Sequence, residues 1–301
     1  KFSPSTDGEC IIRVIPGEYS DLAGNFNSET SALTFNFDNT LPTISIGSND
    51  INNGESTNQS NIGINFTTSE NTNDFDQSDV ITNAGTISGF SGSVTDYTAT
   101  FNSNSFGVNT IQVNANKFSD ESSNLNTASN VFSWTYDAVV PTLNLTAPLV
   151  VEVEAGSSYT DPGYVANDDY DLSVDVQLSG DSVDLTTLGD YSVIYTATDN
   201  AGNQVQKQRV VRVQDTTPPV ITLVPDTETV YLNVGDTYSL PNAILTDNHD
   251  GSPQFLQTPT QPNTAIEDVY ELNWVAKDGS NNPSSKSITV IVGSPPVITI
   301  N

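Results

Sequence analysis

The sequence predicts an all-β protein built from tandem sandwich domains, and three features of the chain lead to that prediction. Thr, Ser, Asn and Val are abundant, and the 301 residues include 19 Gly, 16 Pro and no Met, a composition typical of turn-rich β proteins. No window keeps the 3.6-residue apolar period of an amphipathic helix for more than a turn or two. Apolar and polar residues instead alternate in short runs such as 191–198 and 205–213, which indicates strands.

A first internal repeat has a period of 99 residues and matches residues 19–43 with residues 118–142. Self-similarity at a fixed spacing marks repeated structural units. The repeat therefore predicts that residues 1–40 are the C-terminal part of one domain and that residues 41–140 form a complete domain.

A second repeat, with a period of about 79 residues, follows the first. It predicts two further domains, 141–217 and 218–293. Residues 294–301 resemble the first strand of the preceding domain, so they are predicted to be the first strand of another domain or a donor strand for a neighbouring subunit. Units of 75 to 100 residues made of short alternating strands are expected to fold as immunoglobulin-like β-sandwiches.

The linkers between the predicted domains share a pattern. Asp38, Asp137 and Asp215 each stand four residues before a proline. A short linker that contains proline leaves little freedom between its neighbours, so the sequence predicts an extended and fairly stiff array of domains.

Longer motifs carry a resemblance to known families. Residues 66–101 together with residues 116–126, "NKFSDESSNLN", resemble the bacterial Ig-like domains repeated in large surface proteins and adhesins. Residues 141–215 and 218–292, with "YTDPGYVANDDYD", "GDYSVIYTATDNAGN" and "DTTPP", are similar to a second Ig-like family related to hyalin-type repeats. The resemblance implies an extracellular stalk, adhesin or surface-layer component without shared catalytic residues. One departure is Leu240 in the last unit, where its neighbour has Asp161.

Charge and reactive side chains argue against several classes of function. The net charge of −29 at pH 7 repels phosphate backbones and anionic lipids, so neither nucleic acid nor a membrane surface is an expected partner. Cys10 is the single cysteine and His249 the single histidine. An intrachain disulfide, a nucleophile–histidine arrangement and a zinc site of paired ligands are therefore not expected, and the sequence predicts no enzyme.

Calcium is the cofactor that the acidic loops favour, because hard cations bind carboxylate and amide oxygens. In an immunoglobulin-like sandwich the B–C and F–G loops lie at one end, where the incoming linker also arrives, so three sources of acid should meet at each junction. The predicted ligands are Asp38, Glu70, Asp120 and Asn124, with Asp74 or Asp76, at the first junction; Asp137, Asp168, Asp169, Asp171, Asp199 and Asn203 at the second; and Asp215, Asp247, Asp250, Asp278 and Asn282 at the third. The same residues are also common in turns, where they bond their own backbone.

Two functions remain open at the level of sequence. The first is a non-enzymatic structural segment of an extracellular surface protein, such as a stalk, filament or surface-layer spacer, with calcium as the stiffening ion at its junctions. Its partners would be the neighbouring domains and identical subunits in an array. The alternative is an adhesive module that recognises glycan or protein on another surface. Repetition and proline-containing linkers favour the first.

Overall fold

A computed structural model describes residues 1–72 and 74–294. These residues form twenty-one strands and no α-helix, with one 3-10 turn at Gln77–Asp79. The predicted all-β class is therefore confirmed. Apart from Ser294, the predicted closing strand at 294–301 lies outside the described residues. No helix in the described part of the chain is long and apolar enough to cross a membrane.

The chain divides into two compact units by its internal contacts. The first contains residues 1–142, 166–175 and 197–205, and the second contains the rest. Two loops that follow residue 142 in sequence therefore belong to the first unit. Both loops carry predicted metal ligands.

The first unit contains a two-stranded antiparallel sheet followed by a seven-stranded sandwich. The pair is β1 (Gly8–Ile12) and β2 (Leu33–Phe37). One sandwich sheet has the order β3 (Ile44–Gly47), β5 (Asn61–Thr72), β7 (Gly85–Ser103), and the other has the order β4 (Ser56–Thr57), β9 (Phe132–Tyr136), β8 (Gly107–Val113), β6 (Val80–Asn83). Strand β4 runs parallel to β9, and the other pairs are antiparallel.

The core of this sandwich follows from the alternation of apolar residues along its strands. Phe66, Phe101 and Trp134 are almost fully buried between the two sheets. The rings of Phe101 and Trp134 meet edge to face, with centroids 4.6 Å apart. Each such side chain contributes about 2–3 kcal/mol by leaving water, so packing holds this domain without a disulfide.

The two 79-residue repeats have the same sheet order, a strand pair beside a four-stranded sheet. In the first the pair is β10 (Thr142–Leu145) and β12 (Tyr164–Asn167), and the sheet is β11 (Val150–Glu154), β15 (Gln204–Gln214), β14 (Gly189–Thr198), β13 (Asp175–Gly180). In the second the pair is β16 (Val220–Val224) and β18 (Asn242–Thr246), and the sheet is β17 (Thr229–Asn233), β21 (Pro283–Gly293), β20 (Asp268–Lys277), β19 (Gln254–Gln257). Parallel pairing of β11 with β15 and of β17 with β21 is common to both.

The cores of these two repeats differ in chemistry at equivalent positions. In the first repeat the fully buried Arg209 lies 2.5 Å from Asp161 and donates to the carbonyls of Thr146 and Gly163. The hydroxyl of Tyr195 also donates to Asp161. In the second repeat the corresponding residues are apolar and pack in its core: Leu240, Trp274 and Ile288. The polar cluster of the first repeat is thus replaced by two aliphatic side chains and a tryptophan in the second.

The outer face of the sheet differs in the same way. Three side chains lie in a row across three adjacent strands of each four-stranded sheet. The strands are β11, β15 and β14 in the first repeat and β17, β21 and β20 in the second. The row is charged in the first repeat, where Arg212 pairs with Asp190 at 2.8 Å, and apolar in the second. The equivalent residues are Glu152, Arg212 and Asp190 in the first and Tyr231, Ile291 and Val269 in the second.

The polar core gives a first prediction. Arg209→Ile alone should lower the free energy of unfolding of its repeat by about 3 kcal/mol, because it leaves Asp161 without its cation. The double variant Asp161→Leu with Arg209→Ile removes both charges, as in the second repeat, and should lose much less. Hydrogen–deuterium exchange of β14 and β15 measures both. Equal losses in the single and double variants would contradict the proposed cause.

Candidate metal centres

Three aspartates meet in the first unit around Asp137. Oxygens of Asp137, Asp168 and Asp199 all lie within 4.8 Å of one another. Each residue directly follows a strand: Asp137 follows β9, Asp168 follows β12, and Asp199 follows β14. The structure therefore brings together one acid from the linker and one from each of two loops. We refer to these three residues as the Asp137 cluster.

Two oxygens of the Asp137 cluster are buried without a hydrogen-bond donor among the described residues. Asp137 is only 1% exposed, and while its Oδ1 accepts the Val139 amide at 2.8 Å, its Oδ2 has no partner. The Oδ2 of Asp168 is also without a partner. Burial raises the pKa of Asp137, and the neighbouring charges of Asp168 and Asp199 raise it further. An unpaired buried polar atom costs about 1–3 kcal/mol, and a cation between these oxygens would remove that cost.

Asn203 holds the cluster in place by donating hydrogen bonds. Its backbone amide lies 2.7 Å from Oδ1 of Asp199, and its side-chain Nδ2 lies 2.8 Å from Oδ2. The same Nδ2 lies 3.0 Å from the backbone carbonyl of Asp137. Asn203 was predicted as an oxygen ligand, but the atom that it directs at the cluster is a nitrogen donor. Its two hydrogen bonds fix the orientation of the Asp199 carboxylate.

The other predicted ligands of this junction lie outside the cluster. Asp171 accepts both the backbone amide and the Nδ2 of Asn200, at 2.6 and 2.7 Å. Its carboxylate joins two loops. Asp169 is exposed and lines a small cleft beside Asp168 and Val139.

A second group of three acids lies at the first junction. Oxygens of Asp38, Glu70 and Asp120 also lie within 4.8 Å of one another. Burial raises the pKa of Glu70, as do the charges of Asp38, Asp120 and Asp7. Asn124 repeats the role of Asn203, with its Nδ2 2.9 Å from Oδ2 of Asp120 and 3.2 Å from the carbonyl of Asp38.

Sequence reasoning missed Asp7, which lines the same cleft as Glu70 and Asp120. The 99-residue repeat gives no signal for it, because the equivalent position holds Phe106. The two optional ligands named for this junction have other roles. Asp74 accepts the amide and hydroxyl of Ser119, and Asp76 caps the 3-10 turn.

The third junction, in the second unit, has the same residues in a looser arrangement. Among the described residues, the 4.8 Å grouping occurs at the first two junctions only. Asp215 is 6% exposed, and neither of its oxygens accepts a hydrogen bond of normal geometry. Burial raises its pKa; Ser280 partly offsets the rise, and Asp247 and Asp278 add to it. Oδ2 of Asp247 is likewise buried without a partner.

Two further acids at this junction already have donors. Oδ2 of Asp250 accepts the Gly279 amide at 2.7 Å and matches Asp171. Glu154, which the sequence did not single out, accepts hydrogen bonds from Thr216, Thr217 and Asn248. The hydrogen bonds, led by that of Thr216, lower the pKa of Glu154 to about 2. Glu154 thereby ties the end of β11 to the following linker.

Comparison with known families identifies the domains that carry these clusters. The family described as bacterial Ig-like domain matches residues 38–136, and the family described as bacterial surface protein, Ig-like domain, matches residues 143–213. The chain consists of tandem bacterial Ig-like domains. The resemblance stated from the sequence motifs is therefore confirmed.

Individual proteins are similar to the chain of Ig-like domains at a greater distance. Hyalin of Strongylocentrotus purpuratus is 30% identical over 167 residues, which make up 50% of this chain and 14% of hyalin. The structure of Drosophila N-cadherin EC1-4 is 12% identical, with coverage of 98% of this chain and 94% of that chain and a TM-score of 0.27. The immunoglobulin domains of Dpr2 in complex with DIP-Theta are 11% identical, with coverage of 84% and 100% and a TM-score of 0.33.

The raised pKa of Asp137 gives a second prediction. A carboxyl whose pKa is higher in the folded chain contributes stability below its ordinary pKa and loses that contribution as pH rises through the folded value. In chelator at neutral pH, Asp137→Asn should therefore raise Tm by roughly 2–5 °C. The gain should shrink as pH falls towards about 4, the ordinary aspartate pKa.

Acids with a lowered pKa contribute stability at neutral pH and lose it as pH falls. Because both kinds of acid are present in the chain, the quantity to measure is the difference in Tm between parent and variant. Asp184 is a matched control, because its pKa is held low by Thr186 and Thr187 on an exposed turn. Asp184→Asn should lower Tm or leave it unchanged at neutral pH. A gain equal to that of Asp137→Asn would mean that only net charge matters.

Proposed function

We propose that this chain is a spacer segment of an extracellular bacterial surface protein, and that calcium binds at its domain junctions and fixes the linkers. The observation that carries the proposal is the buried, unpartnered Oδ2 of Asp137 within a cluster of three carboxylates. The family of the domains supports the surface location. No catalytic step is part of the proposal.

Electrostatics favours a bound cation at the Asp137 cluster. The oxygens of these carboxylates lie within 4.8 Å of one another, and two unit charges about 5 Å apart repel by about 3 kcal/mol at an effective dielectric constant of about 20. Three such pairs would oppose folding by an amount comparable with the stability of a small domain. A divalent cation placed between the oxygens turns each of these charges into a favourable partner.

The donor set favours calcium over other metals. The cluster offers carboxylate oxygens, and calcium accepts six to eight oxygens in flexible geometry. Magnesium requires a nearly ideal octahedron and keeps most of its water. Zinc prefers nitrogen and sulfur ligands, which the three aspartates do not supply. Extracellular modules commonly bind calcium with Kd of about 0.1–1 mM, which suits a protein outside the cell.

The repetition of the arrangement supports a structural role. Two linker acids, Asp38 and Asp137, each lie close to two acids that come later in the sequence. Asp215 is the corresponding linker acid in the second unit. A cation at such a point would restrict the linker, and a surface protein needs restricted linkers to hold a distal part away from the cell. Association of identical chains, each with a net charge of −29, would be assisted by the same cations.

Thermal unfolding in calcium and in chelator, at fixed ionic strength, tests the proposal. With calcium at about 100 times Kd the stabilisation of a site is about 2.7 kcal/mol, so Tm of the affected domains should rise by at least about 5 °C. The double variant Asp137→Asn with Asp168→Asn should lose the part of the rise that belongs to this cluster.

Two controls separate site binding from general screening. Asp184→Asn with Asp190→Asn removes the same charge from exposed positions and should keep the full response to calcium. Magnesium at the same concentration should give a clearly smaller rise. If parent, double variant and magnesium samples all respond alike, the junction sites do not bind calcium specifically.

A further inference from the structure

The three linkers share one neutral hydrogen bond. In each case the backbone carbonyl of the linker aspartate accepts a hydrogen bond from the side-chain amide of an asparagine that lies much later in the sequence. The pairs are Asn124 with Asp38 at 3.2 Å, Asn203 with Asp137 at 3.0 Å, and Asn282 with Asp215 at 3.0 Å. The geometry is the same in both units.

The asparagine is held rigidly, because it ends a tight hairpin. In the hairpin at 199–203 the amide of Asp199 donates to the carbonyl of Asn203, and the carboxylate accepts both the backbone amide and the Nδ2 of Asn203. Gly202 has a φ of +89°, and Ser123 and Asn281 have a φ of +69° at the equivalent position of the other hairpins. The hairpins at 120–124 and 278–282 have the same bonds.

The asparagine has two roles, to close its hairpin and to bind the linker, and a fourth hairpin at 21–25 shows the first role alone. Nδ2 of Asn25 lies 3.0 Å from Oδ2 of Asp21, and its backbone amide lies 3.0 Å from Oδ1. Among the described residues, no linker carbonyl accepts a hydrogen bond from Asn25. The hairpin therefore closes by itself, and one hydrogen of the amide remains available to a linker.

We infer that this asparagine is a clasp that positions each linker on the following hairpin without a cation. The bond joins a neutral amide to a backbone carbonyl, so it does not require the charge of the linker aspartate. Aspartate at the same position would place an oxygen against both the carbonyl and the carboxylate and would repel them. The clasp goes beyond the calcium proposal and does not rest on it.

The clasp and a bound cation would act on the same linker in different ways. The cation would hold the side chain of Asp137, whereas Asn203 holds its carbonyl. Removal of the cation should then loosen the carboxylates and leave the backbone of the linker in place. Loss of the asparagine should free the backbone even when cation is present in excess.

Hydrogen–deuterium exchange of the intact chain in chelator tests the inference. The amides to follow are those of Asp137, which donates to Thr57, and of Val139, which donates to Asp137. Asn203→Ala removes the contacts of Nδ2 with the carbonyls of Asp137, at 3.0 Å, and of Val139, at 3.2 Å. It should speed exchange of both amides at least about fivefold, the effect of one hydrogen bond. Exchange in β5 and β7, which belong to the other sheet of the sandwich, should be unchanged.

Two matched variants keep the result interpretable. Asn200→Ala, in the same hairpin, removes a bond to Asp171 and none to the linker, so the amides of Asp137 and Val139 should exchange as in the parent. Asn25→Ala reports what the asparagine contributes to a hairpin alone. The inference is overturned if Asn200→Ala and Asn203→Ala speed exchange of the linker equally, or if chelator alone abolishes its protection in the parent.

Discussion

The position of one short linker, at Asp137, determines most of what surrounds it. Its carbonyl is bound by Asn203, its amide by the carbonyl of Thr57, and its carboxylate lies beside Asp168 and Asp199. A backbone segment that must satisfy its polar groups in a buried place has few alternatives. The fold of the adjoining loops and the convergence of the acids both follow from this constraint.

Sequence alone predicted the β class, the repeats and the types of residue that meet at the junctions. It could do so because Asp137, Asp168 and Asp199 each directly follow a strand, and strand ends can be located from alternation and repeat spacing. The topology of an Ig-like sandwich then places those ends together.

The same reasoning could not tell which carboxylates already have donors. Asp171 and Asp250 stand beside the cluster residues in sequence, yet their oxygens are bound by Asn200 and by the Gly279 amide. Glu154 and Asp7 were missed because neither has an equivalent in the neighbouring repeats. Hydrogen-bond partners from distant segments depend on tertiary packing, which residue type and spacing do not encode.

The different cores of the two 79-residue repeats would disfavour exchange of strands between them during folding. Adjacent domains of similar sequence are prone to exchange strands, and such mixed domains are kinetic traps. A mixed domain that paired β15 with the second repeat would bury Arg209 near Leu240 rather than Asp161, and an unpaired buried charge is strongly unfavourable. The differing residues would therefore act against misassembly between two repeats that have the same sheet order.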